Sequence, residues 1–293
     1  MTSKIIPHLL EPYLSLPEEG ALIVLTSILG ASTNWLVWRY LHSFLKPAAA
    51  SSSSTNSQLD GGGGGGGGNE EVSVLLVSFL RDFVFYREGM GRLGVDLEVA
   101  AGGRRNQGAK FGFVDGLTGL FVDEGEDQKW KRSIRSSDAR EVGKVVGEAL
   151  DQLSNGPEAK KKVVLVLDGL DFLVAAAGSA EEDGSDKTGE AVREMVMDLR
   201  EKSHATIITL AADDPLIKEQ VTPLETNHAW FALSLAHDAD TILSLRLLDT
   251  GTAKDVSGVV RITHGGQNFD TKDHEYLYHV GGDGGVRVFE RGQ

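Results

Sequence analysis

An aspartate ends a short apolar run in the middle of the chain. The run VVLVLDGLDF covers residues 163 to 172, and Asp168 follows its β-branched part directly. Nucleotide-hydrolysing α/β proteins present an aspartate to Mg²⁺ at the end of a buried strand in this way. Asp168 is therefore a candidate catalytic residue, provided that another strand of the same sheet leads into a phosphate-binding loop.

The segment after the first strand pattern lacks the residues of such a loop. A phosphate loop has the form G-x-x-x-x-G-K-[ST], in which backbone N–H groups cradle the phosphates and the lysine reaches the terminal ones. The apolar run Ala21–Leu25 leads instead into TSILGASTNWLVW, which has one glycine, Gly30, and no lysine. The sequence therefore predicts a chain without nucleotide hydrolysis and without a cofactor. In that interpretation Asp168 and Asp171 cap or hydrogen-bond loops.

Two other patterns resemble functional motifs only in part. GMGRLG, Gly89–Gly94, matches the dinucleotide fingerprint, and Asp115 follows about 20 residues later. The glycines follow a helical pattern, however, so we expect Gly94 to end that helix. His274 and His279 lie close in sequence but have no third ligand at a useful spacing, so no metal site is predicted.

A basic segment with a central tryptophan is the candidate nucleic-acid contact. It reads QKWKRSIRSSDAR, residues 128 to 140. Cations beside an aromatic ring suit phosphates and stacked bases. The alternative is a solvated basic loop before a helix. The candidate RNA-binding residues are Lys129, Trp130, Lys131, Arg132 and Arg135.

Composition excludes several classes of protein. The formal net charge is -14, so non-specific binding of nucleic acid through the overall field is not expected. The chain has no cysteine, which excludes disulfides and thiolate zinc sites. The uncharged stretch Gly20–Trp38 is long enough to span a bilayer. Polar residues in its middle favour a strand followed by a second apolar piece, and we expect no membrane association.

The rest of the chain alternates strand and helix patterns. Continuous apolar runs predict strands buried on both faces at Ala21–Leu25, Val72–Val77, Val163–Leu167 and Thr206–Leu210. Helices are predicted over Asp138–Leu153 and Thr188–Lys202. Residues 46–71 are rich in serine and glycine and predict a disordered insertion within one domain that spans 1–293.

The last third has a different pattern. WFALSLAH, TILSLRLLDT, GVVRITHGG, EYLYHV and GVRVFER predict short strands, with GGDGG as a hairpin loop. We expect residues 228–293 to form antiparallel strands of the same domain. The predicted fold class is α/β, with a mostly parallel sheet flanked by helices and a C-terminal antiparallel extension. This order resembles the RecA-like ATPase core.

The C-terminal sequence also carries a more specific resemblance. TGTAKDVSGVVRITHGG (Thr250–Gly266), followed by EYLYHV and VRVFER, is similar to the end of subunit six of the Elongator complex. LLVSFLRDFVFY (Leu75–Tyr86) and FVDGLTGLF (Phe113–Phe121) resemble the same family. The motif residues are Gly251, Lys254, Asp255, Gly258, Gly265 and Gly266.

The resemblance implies a function without chemistry in this chain. Members of that family are RecA-like, lack the ATPase motifs, and assemble with subunits four and five into a heterohexameric ring. The ring binds tRNA and supports wobble-uridine (U34) modification by Elongator. The implied location is the cytoplasm, with the nucleus left open. The alternatives are a RecA-like nucleotide-binding ATPase and a recombination-accessory protein.

Overall fold

The structure is a computed structural model that describes residues 5–46, 72–102, 110–122, 128–155, 161–176, 188–248, 255–265 and 273–291. Except for Lys46, the predicted insertion at 46–71 lies outside these residues. The described strands are β1 (Leu22–Ser27), β2 (Val72–Ser78), β3 (Phe111–Asp115), β4 (Lys131–Ser133), β5 (Lys162–Asp168), β6 (Ala205–Ala211), β7 (Thr241–Arg246), β8 (Gly258–His264), β9 (His274–Val280) and β10 (Val286–Phe289).

Helices cover both faces of the sheet that these strands form. They are α1 (Asn34–Leu45), α2 (Phe83–Arg92), α3 (Leu97–Gly102), α4 (Ala139–Ser154), α5 (Asp171–Ala176), α6 (Thr188–Lys202) and α7 (Pro223–Asp238). The helices predicted over Asp138–Leu153 and Thr188–Lys202 are confirmed as α4 and α6. Asp138 caps α4, because its side chain accepts from the backbone N–H groups of Arg140 and Glu141.

The strands form one mixed sheet in the order β10-β9-β8-β7-β1-β6-β5-β2-β3-β4. The seven strands from β7 to β4 run parallel to one another. β8, β9 and β10 extend the sheet as antiparallel strands. The predicted parallel sheet with a C-terminal antiparallel extension is therefore confirmed.

Alternate residues of the central strands enter two separate cores. In β1, Ile23 and Leu25 pack against α1, α2 and α3, which form the first core. Leu22 and Val24 pack on the opposite face against α4 to α7, which form the second core. The same alternation holds in β5, which explains why the sequence of each strand is apolar without interruption.

The expectation of strands throughout 228–293 is wrong at its start. WFALSLAH lies in α7, and β7 pairs in parallel with β1. A capping box starts the helix: the Thr222 side chain accepts from the Glu225 N–H, the Glu225 carboxylate accepts from the Thr222 N–H, and Pro223 takes the first helical position. Only β8 to β10 form the antiparallel extension.

The uncharged stretch Gly20–Trp38 is divided between β1, a turn and the first part of α1. Within the described ranges, no helix combines the length and apolar composition that crossing a bilayer requires. The stretch is apolar because β1 lies at the centre of the sheet and α1 packs on one of its faces.

A buried arginine connects the antiparallel extension to the first core. Arg39 of α1 donates from Nε to the Ile5 carbonyl at 3.0 Å and from Nη2 to the Gly284 carbonyl at 2.8 Å. Burial lowers the pKa of Arg39 to about 10. Gly284 belongs to the turn between β9 and β10, where a hairpin loop was predicted. Arg39 thus holds the last hairpin against the N-terminal segment.

Candidate functional site

Asp168 lies at the carboxyl edge, by which we mean the edge where the parallel strands end. Its side chain is buried, with 3% of its surface exposed. Oδ1 accepts from the Thr209 hydroxyl of β6 at 2.8 Å. Oδ2 accepts from the Tyr86 hydroxyl of α2, and the Ser78 hydroxyl of β2 lies 3.5 Å away. Protein hydroxyl groups therefore bond both oxygens of the candidate catalytic residue.

The hydroxyl groups also fix their own surroundings. Thr209 Oγ1 accepts from the Gly169 N–H at 2.7 Å, and Ser78 Oγ accepts from the Arg81 N–H at 3.0 Å. Burial, together with the charge of Asp168 and the hydrogen bond to it, raises the pKa of Tyr86 well above its usual value. Tyr86 thus remains a neutral donor at physiological pH, and the carboxylate is enclosed. Asp168 was predicted to cap or hydrogen-bond loops; its side chain does form hydrogen bonds at the carboxyl edge, but its partners lie on β6, α2 and β2 and not in loops.

The segment between β1 and α1 folds into a tight turn. Ile28 and Ala31 form an isolated bridge, in which the Ala31 N–H donates to the Ile28 carbonyl at 2.9 Å. Gly30 has a φ of 90°, as the third position of such a turn requires. The Leu29 N–H donates to Asp213 Oδ1 at 2.8 Å. A carboxylate thus occupies one backbone N–H group of the segment between β1 and α1.

Large apolar side chains are exposed at the same edge. Leu29 is 87% exposed at the tip of the β1–α1 turn, and Leu247, just after β7, is 42% exposed. A side chain at Gly30 would touch Leu247, so the two segments lie against each other. Leu80 and Phe121, which follow β2 and β3, are also exposed. Apolar surface of this kind marks a contact with another protein more often than a polar ligand site.

The glycines of the dinucleotide-like pattern have a packing role. Gly89 and Gly91 lie inside α2, and Gly94 follows its end with a φ of 77°. A Cβ atom at Gly89 would overlap the Trp38 ring of α1. The pattern therefore permits close contact of two helices, and its interpretation as a helix with Gly94 after its end is confirmed. In the described ranges, no group of three or more histidine and acidic side chains is arranged to hold a metal ion.

The basic segment lies on the edge strand β4 and its flanks. Trp130 packs edge-to-face on Phe83, with ring centroids 4.9 Å apart. Arg132 forms an ion pair with Glu148 at 2.9 Å and donates to Gln152 at 3.0 Å. These contacts engage the tryptophan and one arginine of the segment within the fold.

The other basic residues of the segment lie beside Trp130 and Arg132. Lys129 and Arg135 are exposed, and Lys131 is half-buried in the edge strand. The structure therefore keeps the candidate RNA-binding residues in one region, with lysine and arginine as its accessible part.

The C-terminal motif positions the start of the antiparallel extension. The Ser257 N–H donates to the Tyr278 carbonyl at 2.8 Å, and Ser257 Oγ accepts from the Val280 N–H at 2.9 Å. A Cβ atom at Gly258 would lie 2.6 Å from the Arg246 carbonyl oxygen, and one at Gly265 would overlap the Ala239 carbonyl. Asp255 is exposed. Gly251, Lys254 and Gly266 lie outside the described residues.

The family model described as "Elongation complex protein 6" matches residues 69–280. The chain belongs to this family, that of Elongator subunit six. The match covers the sheet from β2 to β9 with the helices between, including the C-terminal motif that predicted it. Membership makes this chain a partner within the Elongator complex. Among the curated proteins, none matches the chain in sequence.

A solved structure shows the same fold. The crystal structure of a KaiC-like protein from the hyperthermophilic archaeon Pyrococcus horikoshii superimposes with a TM-score of 0.51 at 14% sequence identity. The match covers 92% of this chain and 90% of that chain. The Elongator subunit therefore has a RecA-like fold, as predicted.

We predict that removing the Tyr86 hydroxyl destabilises the fold through Asp168. Tyr86→Phe leaves Oδ2 of a buried carboxylate without its closest donor, which should lower the free energy of unfolding by about 1–3 kcal/mol. Denaturant unfolding of the two proteins measures the change.

Tyr40→Phe is the matched control, because the buried Tyr40 hydroxyl donates to the neutral Tyr13 carbonyl at 3.0 Å. Its loss should be smaller, about 0.5–1.5 kcal/mol. Tyr86→Phe should also cost less in an Asp168→Asn background. Equal costs in both backgrounds would show that Tyr86 does not act through Asp168.

We predict that the two described motif glycines are needed for stability. Gly258→Ala places a methyl group against the Arg246 carbonyl, and Gly265→Ala places one against the Ala239 carbonyl. Because backbone must shift in both cases, each change should lower the free energy of unfolding by about 1–3 kcal/mol. Thermal unfolding followed by circular dichroism gives the comparison.

Gly91→Ala is the control, since a Cβ atom there would meet nothing within 4 Å. Gly91 lies in α2, where alanine is favoured over glycine by up to about 1 kcal/mol. This variant should be neutral or slightly more stable. If Gly258→Ala and Gly265→Ala behave like Gly91→Ala, the motif glycines have no structural role.

Proposed function

We propose that this chain is a non-catalytic RecA-like subunit of Elongator. In this proposal it assembles with subunits four and five into a heterohexameric ring in the cytoplasm. The ring binds tRNA and supports modification of the wobble uridine U34. The observation that carries the proposal is the closed carboxyl edge, at which Asp168 is enclosed by protein hydroxyl groups.

The closed edge argues against nucleotide hydrolysis in this chain. Phosphoryl transfer needs backbone N–H donors and a cation at the phosphates, with a metal held by a carboxylate. Here the Leu29 N–H is bonded to Asp213, whose negative charge would repel a phosphate. The segment from Thr26 to Trp38 has no lysine. The lysine that the reaction uses is thus absent from the segment, and the Leu29 N–H and the Asp168 carboxylate are bonded within the fold.

The same edge supports an assembly role. A domain with two unlike faces joins head to tail with related domains, and such contacts close into rings. The exposed side chains of Leu29, Leu80, Phe121 and Leu247 place apolar surface at the carboxyl edge. We propose that a neighbouring subunit covers this surface in the ring.

The accessible cations near β4 support contact with tRNA. The net charge of -14 opposes RNA binding through the whole surface, so a contact needs a local basic region. Lys129 and Arg135 are exposed at the ends of the edge strand, while Trp130 and Arg132 anchor that strand to α2 and α4. We propose that the region contributes phosphate contacts to a surface that the ring completes.

Reconstitution tests the assembly and the absence of nucleotide chemistry together. The chain is co-expressed with Elongator subunits four and five, and native mass spectrometry gives the stoichiometry. We expect a hexamer with two copies of each subunit. Calorimetric titration of the isolated chain with magnesium-ATP should give no heat of binding. A chain that stays alone and binds magnesium-ATP would support the ATPase alternative instead.

We predict that reversing the exposed cations weakens tRNA binding by the assembled ring. Lys129→Glu with Arg135→Glu should lower the affinity at every salt concentration and reduce the slope of log K against log salt by about two. Arg132 is left unchanged, because its reversal would also break the ion pair with Glu148. Fluorescence anisotropy with labelled tRNA measures both quantities.

The matched control reverses two exposed cations far from β4. Arg261→Glu on β8 and Arg287→Glu on β10, at the opposite end of the sheet from β4, change the net charge by the same amount. Arg261 loses only an exposed ion pair with Asp273. Native mass spectrometry confirms that both rings are intact. An equal loss of affinity in the two rings would mean that overall charge, and not the β4 region, determines binding.

A further inference from the structure

The outer face of α7 is unusual for the surface of this chain. Residues 226–237, TNHAWFALSLAH, contain no Asp, Glu, Lys or Arg, although a quarter of the whole chain is charged. The inner face of the helix packs into the second core through Phe231 and Leu235. On the outer face, Trp230 is 41% and Leu233 is 54% exposed. An outer face without charge that exposes a tryptophan and a leucine is typical of a surface that another molecule covers.

A groove runs along this face between α7 and α6. It has a volume of about 360 Å³ and is lined by Arg193 of α6 and by Trp230, Leu233, Ser234, His237 and Asp238 of α7. Arg193 and Asp238 neutralise each other across its wall at 2.6 Å. Trp230 packs over Gly189 at the start of α6, where a Cβ atom would lie 3.3 Å from the indole. The groove thus presents a supported aromatic ring and a leucine to the solvent.

The helix beside the groove is acidic on its exposed face. Glu190, Glu194, Asp198 and Glu201 of α6 are exposed at helical spacing. Lys202 is the only cation among the exposed residues of this helix. A surface with an apolar strip beside an acidic strip is complementary to a segment that carries apolar residues beside basic ones.

We propose that the groove between α6 and α7 is a docking site for a basic amphipathic helix of another Elongator subunit. Its apolar side chains would cover Trp230 and Leu233, as in other helix-in-groove contacts. Its lysine and arginine side chains would pair with the acidic strip of α6. The proposal rests on membership of the complex, which the family match gives. It does not depend on the ring, on tRNA or on the carboxyl edge.

Charge excludes a second copy of this chain as the occupant. Two copies that met at this face would bring two acidic strips together, and each chain carries a net charge of -14. The groove is also too small to hold a stable interface alone, since a standard interface covers about 800 Å² of each partner. The partner must therefore extend over α6, where only positive charge is favourable.

A crosslinker at His237, an exposed residue that lines the groove, identifies the occupant. The chain has no cysteine, so His237→Cys is labelled at a single position with a benzophenone maleimide. The labelled chain is assembled with purified Elongator subunits, irradiated, and digested for mass spectrometry. We expect crosslinks to a segment of another subunit with apolar residues three and four apart and lysine or arginine beside them. Glu88→Cys on α2, on the opposite face of the sheet, is the exposed control and should not crosslink to that segment.

The other outcomes contradict the proposal. Crosslinks between two copies would identify the face as a self-association surface, and crosslinks within the chain would mean that the chain covers its own groove. Crosslinks to an acidic or irregular segment of another subunit would exclude the basic helix. A fully assembled complex without crosslinks would exclude the groove as an interface. Because assembly is measured separately, a failure of the proposed ring is distinguishable from a failure of this site.

Variants give the energetic test. Leu233→Ser should weaken binding of the crosslinked subunit about tenfold, while the melting temperature changes little because this side chain is 54% exposed. Trp230 is left in place because it packs over Gly189. Glu190→Lys with Glu194→Lys should weaken binding about tenfold at low salt and flatten its salt dependence. Glu11→Lys with Glu88→Lys makes the same change of charge elsewhere on the surface and should have no effect. Equal effects of the two charge reversals would contradict the docking site.

Discussion

A carboxylate that is buried at the end of a central strand needs hydrogen-bond donors, and this requirement organises the carboxyl edge. Asp168 receives them from β6, through Thr209, and from α2, through Tyr86. Because an unpaired buried charge costs several kcal/mol, the strands and the helix must meet at one place for the fold to be stable. The chain leaves the sheet at Gly169, whose N–H donates to the Thr209 hydroxyl. One side chain thus links the middle of the sheet to the helical layer above it.

The enclosed aspartate changes what the fold offers at this edge. In an ATPase of this architecture, polar groups at the ends of the strands face a ligand and remain unsatisfied without it. Here the equivalent groups bond one another, and the Leu29 N–H is bonded to Asp213. The exposed groups that remain at the edge include apolar side chains such as Leu247. A RecA-like scaffold with this edge satisfies its own buried polar groups and presents apolar side chains to other proteins.

Much of this architecture follows from local sequence patterns. The strands β1, β2, β5 and β6 are buried on both faces, and their continuous apolar sequences predict that position. WFALSLAH was assigned to a strand because a short apolar run fits both kinds of element. The deciding signal, Thr222–Pro223 with Glu225, lies before the run. The donors to Asp168 were not predictable, because Tyr86 and Thr209 are 82 and 41 residues away and meet it only through sheet order. The engagement of Trp130 by Phe83 depends on the same long-range geometry.

The surface divides opposite charges between different parts of the molecule. Cations gather around β4 at one edge of the sheet, whereas the exposed face of α6 is acidic and residues 226–237 of α7 beside it carry no Asp, Glu, Lys or Arg. A chain with a net charge of -14 repels RNA over most of its surface, although charges more than about 8 Å away are largely screened at physiological salt. The acidity that would oppose RNA elsewhere becomes favourable against a basic protein partner. The division therefore gives the proposed RNA contact and the proposed protein docking site different parts of the surface.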